Sequence, residues 1–301
     1  MNAAKSLAFL ISCLPDALQD ELASQDLFSL TEIRLRANRP VQFNFFRGLA
    51  QGRFTPDGPQ LANISEALSE HGLYARFDEA RRGFITLRGG HRLGLCGKVQ
   101  WEENRALQLS DIGSVCLRIA REHQGAAAAL LPYVSAADGL PSLLLLGAPA
   151  TGKTTLLRDL ARTLSNGGTT VAINDERGEL AACQGGVAQL DVGASTDVLD
   201  GCQKAYGIRW LIRSMAPQLI VTDEIAGDAD AAAILEARAS GIGIMASAHA
   251  GSVESFFSRP DFACLSRHGV FDIIALLKPG KIGEIQCVYN KGGALWRLPP
   301  P

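Results

Sequence analysis

Residues 147–154, with the sequence GAPATGKT, place two glycines, a lysine and a threonine at the spacing of a phosphate-binding loop. In the pattern G-x-x-x-x-G-K-[ST], the glycines let backbone N–H groups turn inward around a β-phosphate, and the lysine reaches the β- and γ-phosphate oxygens. We therefore predict that this segment binds ATP, with the Thr154 hydroxyl as a ligand of Mg²⁺. The predicted nucleotide-binding residues are Gly147, Ala148, Pro149, Ala150, Thr151, Gly152, Lys153, Thr154 and Thr155.

Two adjacent acidic residues end the apolar segment LIVTDE further along the chain. Asp223 stands where phosphate-loop enzymes place the acid on the Mg²⁺ side of the site. Glu224, one residue later, is predicted to orient and polarise a water molecule for in-line attack on the γ-phosphate. A water-activating acid favours a hydrolase over a small-molecule kinase, because the acceptor in a kinase is a substrate hydroxyl.

A second acidic segment, NDERGEL, and a histidine follow two other strand-like runs. Asp175, Glu176 and Arg177 are expected at the same carboxyl edge of the sheet, where open α/β folds bind their ligands. Glu176 is a second candidate for water activation, and the sequence does not rank it against Glu224. His249, in IMASAHAGS, is predicted to contact the γ-phosphate or the attacking water and to report the loss of that phosphate.

Phosphoryl transfer usually needs more positive charge than one lysine and Mg²⁺ provide, so a finger arginine is expected from this subunit or a neighbour. The sequence does not select among the candidates, which are Arg34, Arg36, Arg92, Arg118, Arg177, Arg209, Arg213 and Arg267.

The segments around these residues predict a parallel α/β sheet with crossover helices. The apolar run before the phosphate loop indicates a strand, and residues 153–165 have helical spacing. Strand-like and helical runs then alternate to the end of the chain. A closing hairpin is expected between DIIALLK and GEIQCVYN, joined through Pro279 and Gly280.

The N-terminal part predicts a smaller α+β domain. A helix is expected near residues 14–24, followed by short alternating strands such as EIRLR, in which Ile33 and Leu35 share one face. An Ala-rich helix in EHQGAAAALLPYVSAADGLPS is expected to end the domain. We predict two domains, residues 1–128 and 129–301.

Composition narrows the class of protein. With 47% hydrophobic and 20% charged residues, the 301-residue chain is typical of a soluble globular protein. The net charge of −2 gives no overall reason to expect nucleic-acid binding. The seven cysteines lack any C-x-x-C pair, so neither a zinc site nor a disulfide framework is predicted, which favours the cytoplasm. The short apolar run before Pro15 predicts a surface helix, so membrane contact is expected to be peripheral or through a partner.

Longer segments resemble one family, the stage III sporulation protein AA ATPases. The resemblance rests on GAPATGKTTLLRDLAR, INDERGELAAC, SAHAGSVE and residues 186–227, with TEIRLRANRPV and GGHRLGLCGKV in the N-terminal part. It implies a RecA-like, additional-strand (ASCE) phosphate-loop ATPase core behind a smaller N-terminal α+β domain. It also implies kinship with type II and type IV secretion and pilus ATPases, which form ring hexamers with ATP between subunits.

The resemblance assigns roles to individual residues. Lys153, Thr154, Asp223 and Glu224 correspond to the phosphate, Mg²⁺ and water-activating residues, and residues 175–177 and His249 resemble the acidic and histidine boxes of secretion ATPases. The chain departs from the family at Ala148 and Ala150, where proline and glycine are expected, and at Ser195, where arginine is common. ATP binding is expected to survive these changes, and the alanines are expected to stiffen the loop.

The expected function is ATP hydrolysis by a cytoplasmic homo-hexamer that does conformational work on an integral membrane protein of a channel-like or secretion-like complex in sporulation. Nucleic acid is not an expected partner. Two alternatives remain at this point: a RecA-like ATPase that acts on nucleic acid, and a nucleotide-gated scaffold with negligible turnover.

Overall fold

Two structural units divide the chain after Arg121, the first being Met1–Arg121 and the second Glu122–Pro301. This computed structural model describes residues 3–73, 79, 83–102, 105–137, 139–291 and 294–295. The predicted border between residues 128 and 129 falls inside the second unit, because Ala127 packs in that unit's core together with Leu130.

The first unit is an antiparallel sheet with helices. Its helices are α1 (Ala3–Ser12), α2 (Asp16–Ala23) and α3 (Gly58–Leu68). Its strands are β1 (Leu30–Arg36), β2 (Arg39–Phe45), β3 (Leu49–Gln51), β4 (Ile85–Thr86), β5 (Arg92–Glu102) and β6 (Arg105–Arg118), in the order β3-β2-β1-β6-β5-β4. Ile33 and Leu35 of β1 are buried while Arg34 and Arg36 are partly exposed, so the predicted alternation is confirmed.

A buried histidine lies between α1 and the end of β6. His91 Nδ1 accepts a hydrogen bond from the Ala120 N–H at 3.0 Å, so Nε2 carries the proton that faces Ser6 Oγ at 3.1 Å. Burial, with a smaller contribution from the charge of Arg121, lowers the pKa of His91 to about 4. Gly89 beside it has a φ of +73°, and a Cβ there would lie 2.1 Å from Ser6 Oγ, so only glycine fits.

The second unit is built on a sheet of seven strands, with the order β13-β12-β7-β11-β10-β8-β9. The strands are β7 (Leu143–Leu146), β8 (Val171–Asp175), β9 (Thr196–Asp200), β10 (Leu219–Glu224), β11 (Gly243–Ala248), β12 (Ile273–Leu277) and β13 (Ile285–Asn290). The helices are α4 (Leu131–Ser135), α5 (Lys153–Asn166), α6 (Lys204–Ser214), α7 (Asp228–Ala239), α8 (Val253–Phe257) and α9 (Ala263–Arg267). All neighbouring strands are parallel except β12 and β13. The predicted parallel sheet and its closing hairpin are therefore confirmed.

The strand β11 lies between β7 and β10 and pairs with both. Because the three strands are parallel, the residues that follow them meet at one edge of the sheet. The four leucines of β7 are fully buried, with two on each face of the sheet in separate apolar clusters. The strand that leads into the phosphate loop is thus covered on both faces.

Two segments differ from the sequence-based expectation. The Ala-rich stretch 124–130 forms turns rather than a helix, because Asp159 of α5 accepts hydrogen bonds from the N–H groups of Gly125 and Ala127 at 3.1 and 2.9 Å. The edge strand β9 was not predicted, since its residues are only partly buried and form no apolar run. None of the described helices is long and apolar enough to cross a membrane.

Candidate active site

The phosphate loop connects β7 to α5 and is held in a fixed shape by its own contacts. Thr151 Oγ1 donates to the Ala148 carbonyl at 2.8 Å, and the Gly283 N–H donates to the Thr151 carbonyl at 2.8 Å. A Cβ at Gly147 would lie 2.8 Å from Thr151 Oγ1, so the tight turn requires glycine there. The loop delivers the N-terminus of α5, where backbone N–H groups favour anions, to the carboxyl edge of the sheet.

Ala150 occupies the left-handed region, with a φ of +60°. This region favours glycine, because a Cβ crowds the following carbonyl. The alanine at position 150 therefore carries local strain. Ala148 is not among the described residues with a positive φ, so it brings no such strain.

Lys153 is buried at the start of α5, and its ammonium group is fully engaged. Nζ donates to the carbonyls of Gly147 and Ala148 at 2.8 and 2.9 Å and lies 3.0 Å from His249 Nδ1. Burial lowers the pKa of Lys153, and the nearby Glu224 carboxylate opposes that shift. The amine that is predicted to bind phosphate is thus hydrogen-bonded to two carbonyls of the phosphate loop.

His249 connects this lysine to Glu224. His249 Nδ1 lies 3.0 Å from Lys153 Nζ, which can only donate, and 3.3 Å from the Gly147 carbonyl, which can only accept. The shorter contact assigns Nδ1 as the acceptor and the proton to Nε2. Nε2 lies 3.1 Å from Glu224 Oε2 and donates to it. Arg177 Nη1 also donates to Glu224 Oε2, at 3.2 Å. The predicted acid therefore lies between a histidine and an arginine.

Asp223 is buried beside Glu224 and faces a lysine that the sequence did not single out. Lys204 Nζ lies 2.8 Å from Asp223 Oδ1 and 2.6 Å from Glu176 Oε2. Burial raises the pKa of Asp223 to about 6, and the charge of Lys204 opposes this rise. Neither oxygen of Asp223 accepts an aligned hydrogen bond from any residue that the structure describes. The sequence offered no signal for Lys204, because it follows no motif and its contacts span distant segments.

The phosphate loop and the residues at the carboxyl edge of the sheet line one cavity of about 470 Å³. Of the predicted residues, the cavity is lined by residues 149–155 together with Arg177, Asp223, Glu224 and His249. Gly147 and Ala148 contribute through the carbonyls that bind Lys153. Three further lining residues, His123, Glu179 and Ile282, were not predicted; only Glu179, inside NDERGEL, carried a usable signal.

The three residues of the acidic segment at the end of β8, 175–177, make different contacts from one another. The Asp175 carboxylate accepts from the N–H groups of Glu179, Leu180 and Ala181 at 2.8, 3.1 and 2.7 Å, so it shapes a turn. That turn places Arg177 in the cavity wall. Glu176 contacts Lys204 and is not among the lining residues, so its role in water activation stays a prediction.

Some candidate finger arginines already have partners within their own unit. Arg209 pairs with Glu236 at 2.7 Å. In the first unit, Arg34 and Arg118 pair with Glu32 at 2.8 and 3.2 Å. Among the arginine candidates in the described residues, Arg177 is the one that lines the cavity.

The donors at this edge fit a magnesium ion bound with a nucleotide. Mg²⁺ prefers carboxylate and hydroxyl oxygens and keeps several waters, and it is held through one or two protein ligands plus substrate phosphates. Asp223, whose buried oxygens lack aligned hydrogen bonds, and Thr154 supply ligands of that kind in the same cavity.

Comparison with solved structures identifies the fold. The ATPase DotB from Legionella pneumophila matches with a TM-score of 0.60 at 14% identity, covering 87% of this chain and 76% of that chain. The pilus retraction motor PilT, solved with bound ADP, matches with a TM-score of 0.58 at 14% identity, covering 85% and 76% of the two chains. The chain therefore has a RecA-like phosphate-loop core of the additional-strand type, with a smaller N-terminal α+β domain.

Comparison with protein sequences identifies the family. Stage III sporulation protein AA from Bacillus subtilis is 37% identical over 289 residues, which are 93% of this chain and 94% of that protein. The family model for sporulation stage III, protein AA, matches residues 9–296. Since both matches cover nearly the whole sequence, the chain belongs to the sporulation stage III protein AA family.

Proposed function

We propose that the chain is an ATP hydrolase, and the connection from Lys153 through His249 to Glu224 in one cavity is the observation that carries the proposal. A phosphate-binding lysine and a carboxylate that can activate water are joined by one imidazole. Such an arrangement can sense phosphate at one end and act on water at the other.

Binding of ATP would place the phosphates on the loop and at the N-terminus of α5. Lys153 would then exchange the Gly147 and Ala148 carbonyls for phosphate oxygens and leave His249 Nδ1 free. Glu224 would accept a proton from the attacking water as it approaches the γ-phosphate in line. Bound Mg²⁺ would neutralise charge that develops on the phosphates, with Thr154 and Asp223 as its protein-side groups.

The family and the fold also support a proposal for the work that ATP hydrolysis drives. We propose a homo-hexamer that acts on an integral membrane protein of a channel-like or secretion-like complex in sporulation, from the cytoplasmic face and without nucleic acid as a partner. Membership in a sporulation family and the fold shared with DotB and PilT support this assignment.

The test is phosphate release from ATP, measured beside equilibrium binding of ATP for the same proteins. We expect Lys153→Ala to bind no ATP at concentrations that saturate the wild type, and the wild type to release phosphate without added DNA or RNA. Equal ATP binding by Lys153→Ala and the wild type would contradict the phosphate-loop assignment. ATP turnover that requires DNA or RNA would instead support a RecA-like ATPase that acts on nucleic acid.

A further inference from the structure

Lys204 is a buried cation that bridges two acidic residues from neighbouring strands. Only 3% of its side chain is exposed, and Nζ lies 2.8 Å from Asp223 at the end of β10 and 2.6 Å from Glu176, which follows β8. Burying an ammonium group is unfavourable unless ion pairs and hydrogen bonds compensate. The ion pairs of Lys204 are therefore part of the protein interior and are not surface contacts.

Two other buried acids nearby accept hydrogen bonds from backbone N–H groups, and Asp223 does not. Asp175 accepts three backbone N–H groups, and Asp230 accepts the Ala226 N–H at 2.8 Å. Asp223 receives no backbone N–H among the described residues, and Lys204 is the only described cation paired with it. The amine contacts Oδ1, whereas Oδ2 has no partner in the described part of the chain. Lys204 alone therefore fixes this carboxylate.

The start of α6 is held close to β8 so that the amine reaches both acids. Asn174, fully buried in β8, donates through Nδ2 to the Cys202 carbonyl at 3.2 Å. A Cβ at Gly207, one turn into α6, would lie 1.8 Å from Asn174 Oδ1. Only glycine permits this approach of helix to strand. The backbone is thus arranged to bring Lys204 to its place.

We propose that Lys204 is a positioning residue for the metal-side acid of the site. It holds the Asp223 carboxylate in the orientation that binds the magnesium of a metal–nucleotide complex, and Glu176 anchors the lysine from the other side. This inference rests on the proposed function, because it assigns Asp223 to the metal of bound ATP.

The experiment measures how much Mg²⁺ strengthens nucleotide binding. The probe is the non-hydrolysable analogue adenylyl imidodiphosphate, whose dissociation constant is measured with EDTA and with saturating Mg²⁺. The ratio of the two constants is the coupling between metal and nucleotide. For Lys204→Met we expect this ratio to fall by about tenfold or more, within the usual range of such couplings. The constant in EDTA should stay within about threefold of the wild type, because Lys204 does not touch the phosphate loop.

Two further variants separate positioning from general damage. Glu176→Gln keeps an acceptor at a half-exposed position and removes the charge that anchors Lys204, so we expect a smaller loss of coupling, of about threefold. It also keeps the inference testable if Lys204→Met does not fold. Arg238→Met is the control, because it removes a cation paired with Asp272 at 3.3 Å at the opposite edge of the sheet. Its coupling should match the wild type.

Unchanged or stronger coupling in Lys204→Met, or in Glu176→Gln where the first variant is unfolded, would overturn the inference. An equal loss in Arg238→Met would also overturn it, since the effect would then reflect stability. A wild-type protein that binds no nucleotide would instead overturn the proposed function, so the two failures are distinguishable.

Discussion

At the scale of single residues, the site depends on which nitrogen of His249 carries the proton. Because the contact of Nδ1 with Lys153 is shorter than that with the Gly147 carbonyl, Nδ1 accepts and Nε2 donates to Glu224. The hydrogen bond from Nε2 therefore holds the acid in one orientation. Loss of the imidazole should disturb the acid more than the phosphate loop, where Lys153 keeps the carbonyls of Gly147 and Ala148.

We predict that His249→Ala lowers the rate of ATP turnover by roughly a hundredfold, the lower end of what a positioned proton-transfer group contributes. ATP affinity should change by less than about threefold, because the loop keeps its contacts. Steady-state phosphate release and equilibrium ATP binding check this. His268→Ala is the control, since that exposed histidine contacts the Cys264 carbonyl and does not line the cavity. Similar losses of turnover in both variants would contradict the prediction.

A second prediction concerns the strained alanine of the loop. Ala150→Val should weaken ATP binding by about tenfold, because a β-branched residue is strongly disfavoured in the left-handed region and about 1.4 kcal/mol corresponds to that factor. Ala150→Asn is the matched variant: it also adds side-chain bulk at an exposed position, and asparagine tolerates this conformation. The dissociation constant of ATP, measured by titration for the wild type and the two variants, tests this prediction. Equal weakening by valine and asparagine would show that size, not backbone conformation, matters at residue 150.

The sequence predicts much of the site at this scale and misses contacts made across the fold. Lys153, Asp223, Glu224 and His249 were predictable because each follows a recognisable apolar strand, and parallel strands end at a common edge. Lys204 and His123 were not, because the groups that lie beside them come from distant segments of the chain. For Glu176 the pattern gave the right edge of the sheet, and only the structure shows that the side chain contacts Lys204.

At the scale of elements, β11 determines what meets at the carboxyl edge. It inserts between the strand before the phosphate loop and the strand that ends in Asp223 and Glu224. Alternation of apolar and helical runs predicted the strands but not their order, since order depends on pairing between distant segments. The edge strand β9 and the turns at 124–130 were missed for related reasons. The strand is only partly buried, and the turns depend on hydrogen bonds to Asp159.

An element-scale prediction comes from His91, which ties α1 to the end of β6. Its pKa is about 4 in the folded protein and 6.5 in the unfolded chain, so between these values the unfolded chain binds a proton that the folded protein does not. The contribution of His91 to the free energy of unfolding is therefore complete above pH 6.5. As the pH falls towards 4, this contribution decreases by about 3 kcal/mol.

Chemical denaturation of the full chain at several pH values between 7 and 4 tests this. His91→Gln removes the titrating group, so its free energy of unfolding should fall less steeply with acidification than that of the wild type, whatever its absolute stability. Parallel pH dependence in the two proteins would show that His91 does not carry the effect.

For the whole molecule, the proposal of a homo-hexamer raises the question of which groups a neighbouring subunit supplies to the site. The chain belongs to a sporulation family, and its net charge of −2 gives no overall reason to expect nucleic-acid binding. The described arginine that lines the cavity, Arg177, already contacts Glu224. A further positive group for phosphoryl transfer is therefore expected from a neighbouring subunit.

We predict that ATP turnover per chain rises with protein concentration, in step with the mass measured by light scattering. The reason is that a residue supplied by a neighbour is absent from a monomer and present in the assembly. Turnover per chain that is constant while the mass changes from monomer to oligomer would contradict a site completed between subunits.

Glu224 is proposed to activate water for the cleavage of bound ATP. The most direct measurement identifies the nucleotide that the protein retains after a single-turnover incubation with labelled ATP and Mg²⁺. The wild type should retain ADP, and Glu224→Gln, which keeps the shape of the side chain but cannot accept the proton, should retain uncleaved ATP. ADP formed at the same rate by both proteins would contradict the account.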